Sequence, residues 1–87
     1  MKVIFRKFKE GDVVALLPEC PATYGRVVCY QHIGQHGEAD SSISMFTKPA
    51  SDAEYAPLLR ELQGIYDGQL RVTKRLQRSD LQQAWKR

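Results

Sequence analysis

One stretch of this chain is patterned for a long helix, and it dictates what the rest must be. Ser51-Asp52-Ala53-Glu54 has the form of a capping box. The Ser51 hydroxyl can accept from the Glu54 amide, and the Glu54 carboxylate can reach back to the amide of Ser51. Asp52 and Glu54 also suit the positive end of the helix dipole. Tyr55, Leu58, Leu59, Leu62, Ile65 and Tyr66 then recur at helical spacing and predict one apolar face. Gly64 or Gly68 can close the helix. Pro57 lies past the first turn, where it removes a backbone hydrogen bond and predicts a kink or an irregular start. A helix with one apolar stripe must bury it against another element.

The remaining runs are strand-sized. Lys2 to Phe8 places Val3 and Phe5 on one face and Ile4, Arg6 and Phe8 on the other. After the turn residues Glu10-Gly11-Asp12, Val13 to Leu17 is apolar throughout, which predicts a strand covered on both sides. Pro18 and Pro21 open a loop that reaches Gly25. In the third strand, Arg26 to Ile33, Val28, Tyr30 and His32 share one face. Gly34 to Ser41 reads as a polar loop, and Ser42 to Thr47 as a short fourth strand with Ile43 and Met45 inward. Leu70 to Leu76 alternates with Arg71, Thr73 and Arg75 and predicts a half-exposed strand with a basic outer face. Ser79-Asp80-Leu81-Gln82 repeats the capping-box theme and opens a short C-terminal helix anchored by Trp85. The expected architecture is α+β, in the order β-β-β-(β)-α-β-α. A small, mainly antiparallel sheet carries one main helix on one face. Residues 1–87 form a single domain, and residues 78–87 a loosely packed terminal helix.

Charge is segregated along the chain. The net charge is +3 over 87 residues. Residues 1–9 carry +4, residues 10–70 carry −6 and residues 71–87 carry +5. One reading is solvated edge strands and a basic helix end. The other is a single basic face built from both chain ends, with Arg6, Lys7, Arg71, Arg75 and Arg78 set against phosphates or an acidic partner. Aromatic residues beside these bases (Phe5, Phe8, Tyr24 and Tyr30) keep single-stranded nucleic acid in view, although aromatics on a sheet are more often core. No apolar run approaches the roughly 18 residues needed to span a membrane. The N-terminus has no apolar segment of signal-peptide type, so a cytoplasmic location is expected. The two cysteines are expected to be free thiols there.

Catalytic and metal chemistry find little support. Cys20, Cys29, His32 and His36 fall within seventeen residues. Their spacing matches no structural zinc pattern, and Cys29 and His32 point to opposite faces of a strand. That alternation also argues against a nucleophile–base pair. Gly34-Gln35-His36-Gly37 has the G-x-x-G form of the turn with which KH domains clamp nucleic-acid backbone. Its β-branched flank does not fit the two helices that such a turn joins. The segment holding His32, Gly34, His36 and Gly37 therefore stands as a loop of interest without an assigned reaction. No nucleotide-binding or hydrolase motif occurs. The sequence predicts no catalytic residue, no metal and no cofactor.

Phe5 to Leu16, Tyr30 to Gly37 and Lys48 to Leu62 resemble a family of short, functionally uncharacterised bacterial proteins. The likeness covers most of the chain to about Leu76. It implies a bacterial cytoplasmic protein and transfers no functional residue. Pro57 and the Gln- and Arg-rich tail from Arg78 depart from the pattern. The resulting expectation is a small non-enzymatic module. It acts through an unidentified macromolecular partner, protein or nucleic acid, or through a second copy of itself as a homodimer. Weak nucleic-acid binding is the alternative.

Overall fold

Strand β1 (Lys2–Phe8) is hydrogen-bonded along both edges, and the fold is arranged around it. The computed structural model describes residues 1–31 and 35–82. On one edge β1 pairs antiparallel with β2 (Val13–Leu17), with Phe5 opposite Ala15. The turn between them needs Gly11, whose φ of 104° is strained for any residue with a side chain. β3 (Arg26–Gln31) pairs antiparallel with β2, and β4 (Gln35–Asp40) with β3. The other edge of β1 is divided. Phe5 offers its carbonyl to Ala50, just past β5 (Thr47–Pro49), which pairs antiparallel with Arg6–Phe8. Met1 and Val3 offer theirs to Arg71 and Thr73 around β6 (Arg71–Val72), which runs parallel to Lys2–Val3.

The sheet is covered on both faces, as the all-apolar Val13–Leu17 run predicted. Val3, Phe5, Ala15, Leu17 and Tyr30 face helix α1 (Asp52–Tyr66) and its Tyr55, Leu58 and Leu62. Phe5 and Tyr55 stack at 4.3 Å between ring centroids. Ile4, Val14, Leu16 and Val27 face the other way, towards Ile43, and Leu76 packs there too. The capping box is formed: Ser51 Oγ accepts from the Glu54 amide at 3.3 Å, and Glu54 Oε1 from the Ser51 amide at 2.8 Å. Pro57 lies on the exposed side, and the helix runs past both it and Gly64. Asp67 and Gly68, both with positive φ, end it.

Several expectations are corrected. Gln35–Asp40 is a strand, not a polar loop. It has no β-branched residues to announce it, and cross-strand pairing with β3 supplies what propensity does not. Ser41–Met45 is a 3₁₀ helix rather than a strand. The Asp40 carboxylate accepts from the Ser42 amide at 2.9 Å, and such local bonds compete with strand pairing. Ile43 is buried as predicted, but Met45 points outward. The strand expected over Leu70–Leu76 shrinks to two residues, because β5 already occupies the rest of that edge of β1. The terminal helix α2 (Arg78–Gln82) starts one residue earlier than Ser79. Asp80 Oδ2 accepts from the Gln77 amide at 2.8 Å, and that carboxylate holds the first turn. Trp85 and the proposed anchoring of the tail lie outside the described residues.

Candidate functional site

β1 and β6 do touch, so the two basic chain ends meet, with Lys2 beside Arg71. They do not form one free basic face. Arg6 and Lys7 are consecutive strand residues and leave the sheet on opposite sides. Arg6 is buried and grips the segment that crosses beside it. Its Nε donates to Thr47 Oγ1 at 3.1 Å, and its Nη2 donates to the carbonyls of Thr47 at 2.6 Å and Ser44 at 3.3 Å. No carboxylate pairs with it among the described residues, and burial lowers its pKa. Lys7 is committed to Glu54. The Lys7 ammonium, and then the Ser51 amide and hydroxyl, hold the Glu54 pKa down at about 2. Lys2 pairs with Asp80 at 2.6 Å and Lys74 with Asp52 at 3.0 Å. Arg71 stands 3.7 Å from Glu19, with both side chains largely in water. Arg75 and Arg78 are exposed and take no carboxylate among the described residues.

The glycine segment is likewise redefined. His32 and Gly34 lie outside the described residues. His36 and Gly37 are in β4, opposite Tyr30 and Cys29, so Gly37 belongs to a strand and not to a backbone-clamping turn. A Cβ on Gly37 would meet only Cys29 Sγ at 3.8 Å, an ordinary contact. His36 is edge-on to Tyr30 at 5.0 Å, and its Nε2 lies 2.6 Å from the Tyr66 hydroxyl. Tyr30 itself donates to Glu61 Oε1 at 2.7 Å. Burial raises the Tyr66 pKa, reinforced by the neighbouring Cys20 thiol, which hydrogen-bonds with it. Cys20 Sγ is 3.6 Å from Met1 Sδ. Cys29 faces the opposite side of the sheet, where burial raises its pKa and so disfavours the thiolate. Among the described residues no three His, Cys, Asp or Glu side chains converge as metal ligands. No described helix is long and apolar enough to cross a membrane.

The surface that sequence reasoning missed lies beside β5. Met45 is 80% exposed and Phe46 66% exposed, side by side where the 3₁₀ helix ends. With Phe8, Thr47, Lys9 and Lys48 they line an open cleft. Lys9 and Lys48 are exposed and form no ion pair among the described residues, although Glu10 shares the rim. Arg6 lies just behind, bonded to neutral acceptors only. An apolar, aromatic knob thus stands in a locally positive field. Reading Ser42–Thr47 as an alternating strand turned Met45 inward and hid it. The adjacent pair Met45-Phe46 between polar residues was the available signal.

Comparison with family models, with curated proteins and with solved structures found no match.

Proposed function

We propose that this protein is a small, non-enzymatic interaction module that binds an acidic macromolecule through the Met45–Phe46 surface. One observation carries the reading: two large apolar side chains stand in water beside lysines that have no carboxylate partner among the described residues. Aromatic side chains bury large apolar areas and are among the main contributors to interface energetics. Unpaired cations at the rim add steering and select an anionic partner. The bacterial, cytoplasmic setting implied by the family resemblance belongs to the same proposal. A photo-crosslinking residue at position 46, compared with one at Arg60 on the outer side of α1, tests it in cells. Discrete crosslinked species are expected from position 46 and not from position 60. Equal or absent crosslinking at both positions defeats it. Turnover by the purified protein that is lost on changing Cys29 or His36 would defeat the non-enzymatic part.

A second reading, weak nucleic-acid binding, is favoured by the β1–β6 pairing, which sets Lys2 of one basic end beside Arg71 of the other. Neutralisation of Lys2, Lys7 and Lys74 by acids reduces it to Arg71, Arg75 and Arg78, with Lys9 and Lys48 further along. A salt titration with labelled single- and double-stranded oligonucleotides separates the readings. Binding that steepens as salt falls and disappears in R71E/R75E supports nucleic acid. No binding at low ionic strength removes it.

A further inference from the structure

We propose that Met1, Cys20 and His36 form a site for a single Cu(I) ion at the C-terminal end of α1, around the Tyr66 hydroxyl. The reading is independent of the Met45–Phe46 surface. Three elements distant in sequence deliver the ligands to one place. Met1 is fixed because its ammonium donates to the Gln69 carbonyl at 2.7 Å and its own carbonyl accepts from Arg71. Cys20 is placed by the turn that follows β2, where its amide donates to the Leu17 carbonyl. His36 is set by its register opposite Tyr30, whose ring supports the imidazole edge.

The thioether and thiol sulfurs are already 3.6 Å apart. Two sulfurs bound to one ion through bonds of about 2.3 Å stand at close to that separation. The Tyr66 hydroxyl lies 2.6 Å from His36 Nε2 and within hydrogen-bonding reach of Cys20. The imidazole nitrogen and the Cys20 sulfur therefore both reach the same phenol oxygen, and the Met1 sulfur stands beside that of Cys20. Cys20 is half-buried while Met1 and His36 are exposed, so an ion can enter from solvent.

The donor set chooses the metal. A thiolate and a thioether are soft ligands and an imidazole is a borderline one that copper accepts, a combination that favours Cu(I). Zinc in a structural site asks for four nitrogen, thiolate or carboxylate ligands, which do not converge here among the described residues. Calcium and magnesium ask for oxygen cages. Binding breaks the Cys20 S–H bond and forms an S–Cu bond, and the proton leaves to solvent. Nε2 exchanges its contact with the Tyr66 hydroxyl for the ion, and the hydroxyl turns to water. The oxidation state of the metal does not change.

The test uses the tag-free full chain under anaerobic conditions, with Cu(I) held by a coloured Cu(I) chelator. The protein is expected to withdraw one equivalent. C29S should retain that binding, C20S should lose it and H36Q should weaken it, with circular dichroism checking the fold of each. The chain contains two methionines, Met1 and Met45. In selenomethionine-substituted protein, X-ray absorption at the selenium edge should show a copper neighbour on one of the two. Failure to withdraw copper, binding that survives in C20S, binding that is lost in C29S, or the absence of a copper–selenium distance each overturns the proposal.

Discussion

Truncating three apolar residues of α1 in turn measures how the helix is seated. Leu62 is fully buried among Leu17, Tyr30 and Tyr55, Leu59 is half-buried at the margin of that cluster, and Ile65 is 49% exposed. Leu62→Ala removes the equivalent of three buried methylene groups, about 2.4 kcal/mol of transfer free energy at about 0.8 kcal/mol each. The unfilled cavity adds to this, giving about 3–5 kcal/mol. Leu59→Ala loses roughly half the transfer contribution and opens onto solvent, so about 1–2 kcal/mol is expected. Ile65→Ala should cost no more than about 1 kcal/mol. A domain of this size has a total stability of about 4–13 kcal/mol, so Leu62→Ala alone removes a large share. Urea melts read the series directly: with a slope of about 1 kcal/mol/M, the Leu62 midpoint falls by about 3–5 M or the protein no longer folds. Equal losses at Leu59 and Leu62, or a larger loss at Ile65, would mean that α1 is rotated from the seating described, and the reasoning would be refuted.

Three further outcomes follow from the same contacts. Ser51→Ala should cost about 0.5–2 kcal/mol in denaturant melts through loss of the cap, and a neutral result would remove the capping box as a stabilising feature. Glu54 has a folded pKa of about 2 against an ordinary 4.5, so its contribution to stability is complete above pH 4.5 and is lost as pH falls towards 2. Lys7→Met should flatten that part of the stability–pH profile, and an unchanged profile would count against the Lys7–Glu54 pair. Elemental analysis of tag-free protein purified without added metal should find no stoichiometric zinc or iron, whereas one-to-one zinc or iron whose chelation unfolds the domain would contradict the ligand geometry.

Periodicity revealed the elements that bury something. β1, β3 and α1 carry apolar patterns with a period of 2 or 3.6, β2 is a short run that is apolar throughout, and each stands close to where its pattern put it. The elements that bury little were not legible. β4 is polar and mostly exposed, and it exists because β3 has an edge to fill. The shortening of β6 was equally hidden, since it depends on competition with β5 for one edge of β1, a fact of topology that no local pattern encodes. Ser41–Met45 has an alternation of polar and apolar residues that also satisfies a 3₁₀ turn, and Asp40 decided between them.

Charge was legible as a count and not as a surface. The sequence left open whether the +4 and +5 ends meet; Lys2 and Arg71 do stand side by side, yet proximity is not availability. The acidic middle of the chain supplies Asp52 and Glu54 at the start of α1, where the helix dipole and two lysines both draw them. Asp80 does the same for Lys2 while it holds the first turn of α2. These acids are thus the groups that neutralise much of the charge of the basic ends. Arg6 escapes that neutralisation and spends its donors on the backbone of the segment bearing Met45 and Phe46. The same guanidinium therefore fixes the exposed apolar pair and leaves a positive charge behind it. If that double role holds, Arg6→Met should both loosen the 3₁₀ segment and weaken crosslinking from position 46, whereas K9Q/K48Q should weaken crosslinking and leave the fold intact. Amide hydrogen exchange at Ile43–Thr47 distinguishes the two variants, and identical protection in both would separate the fixing of the surface from its charge.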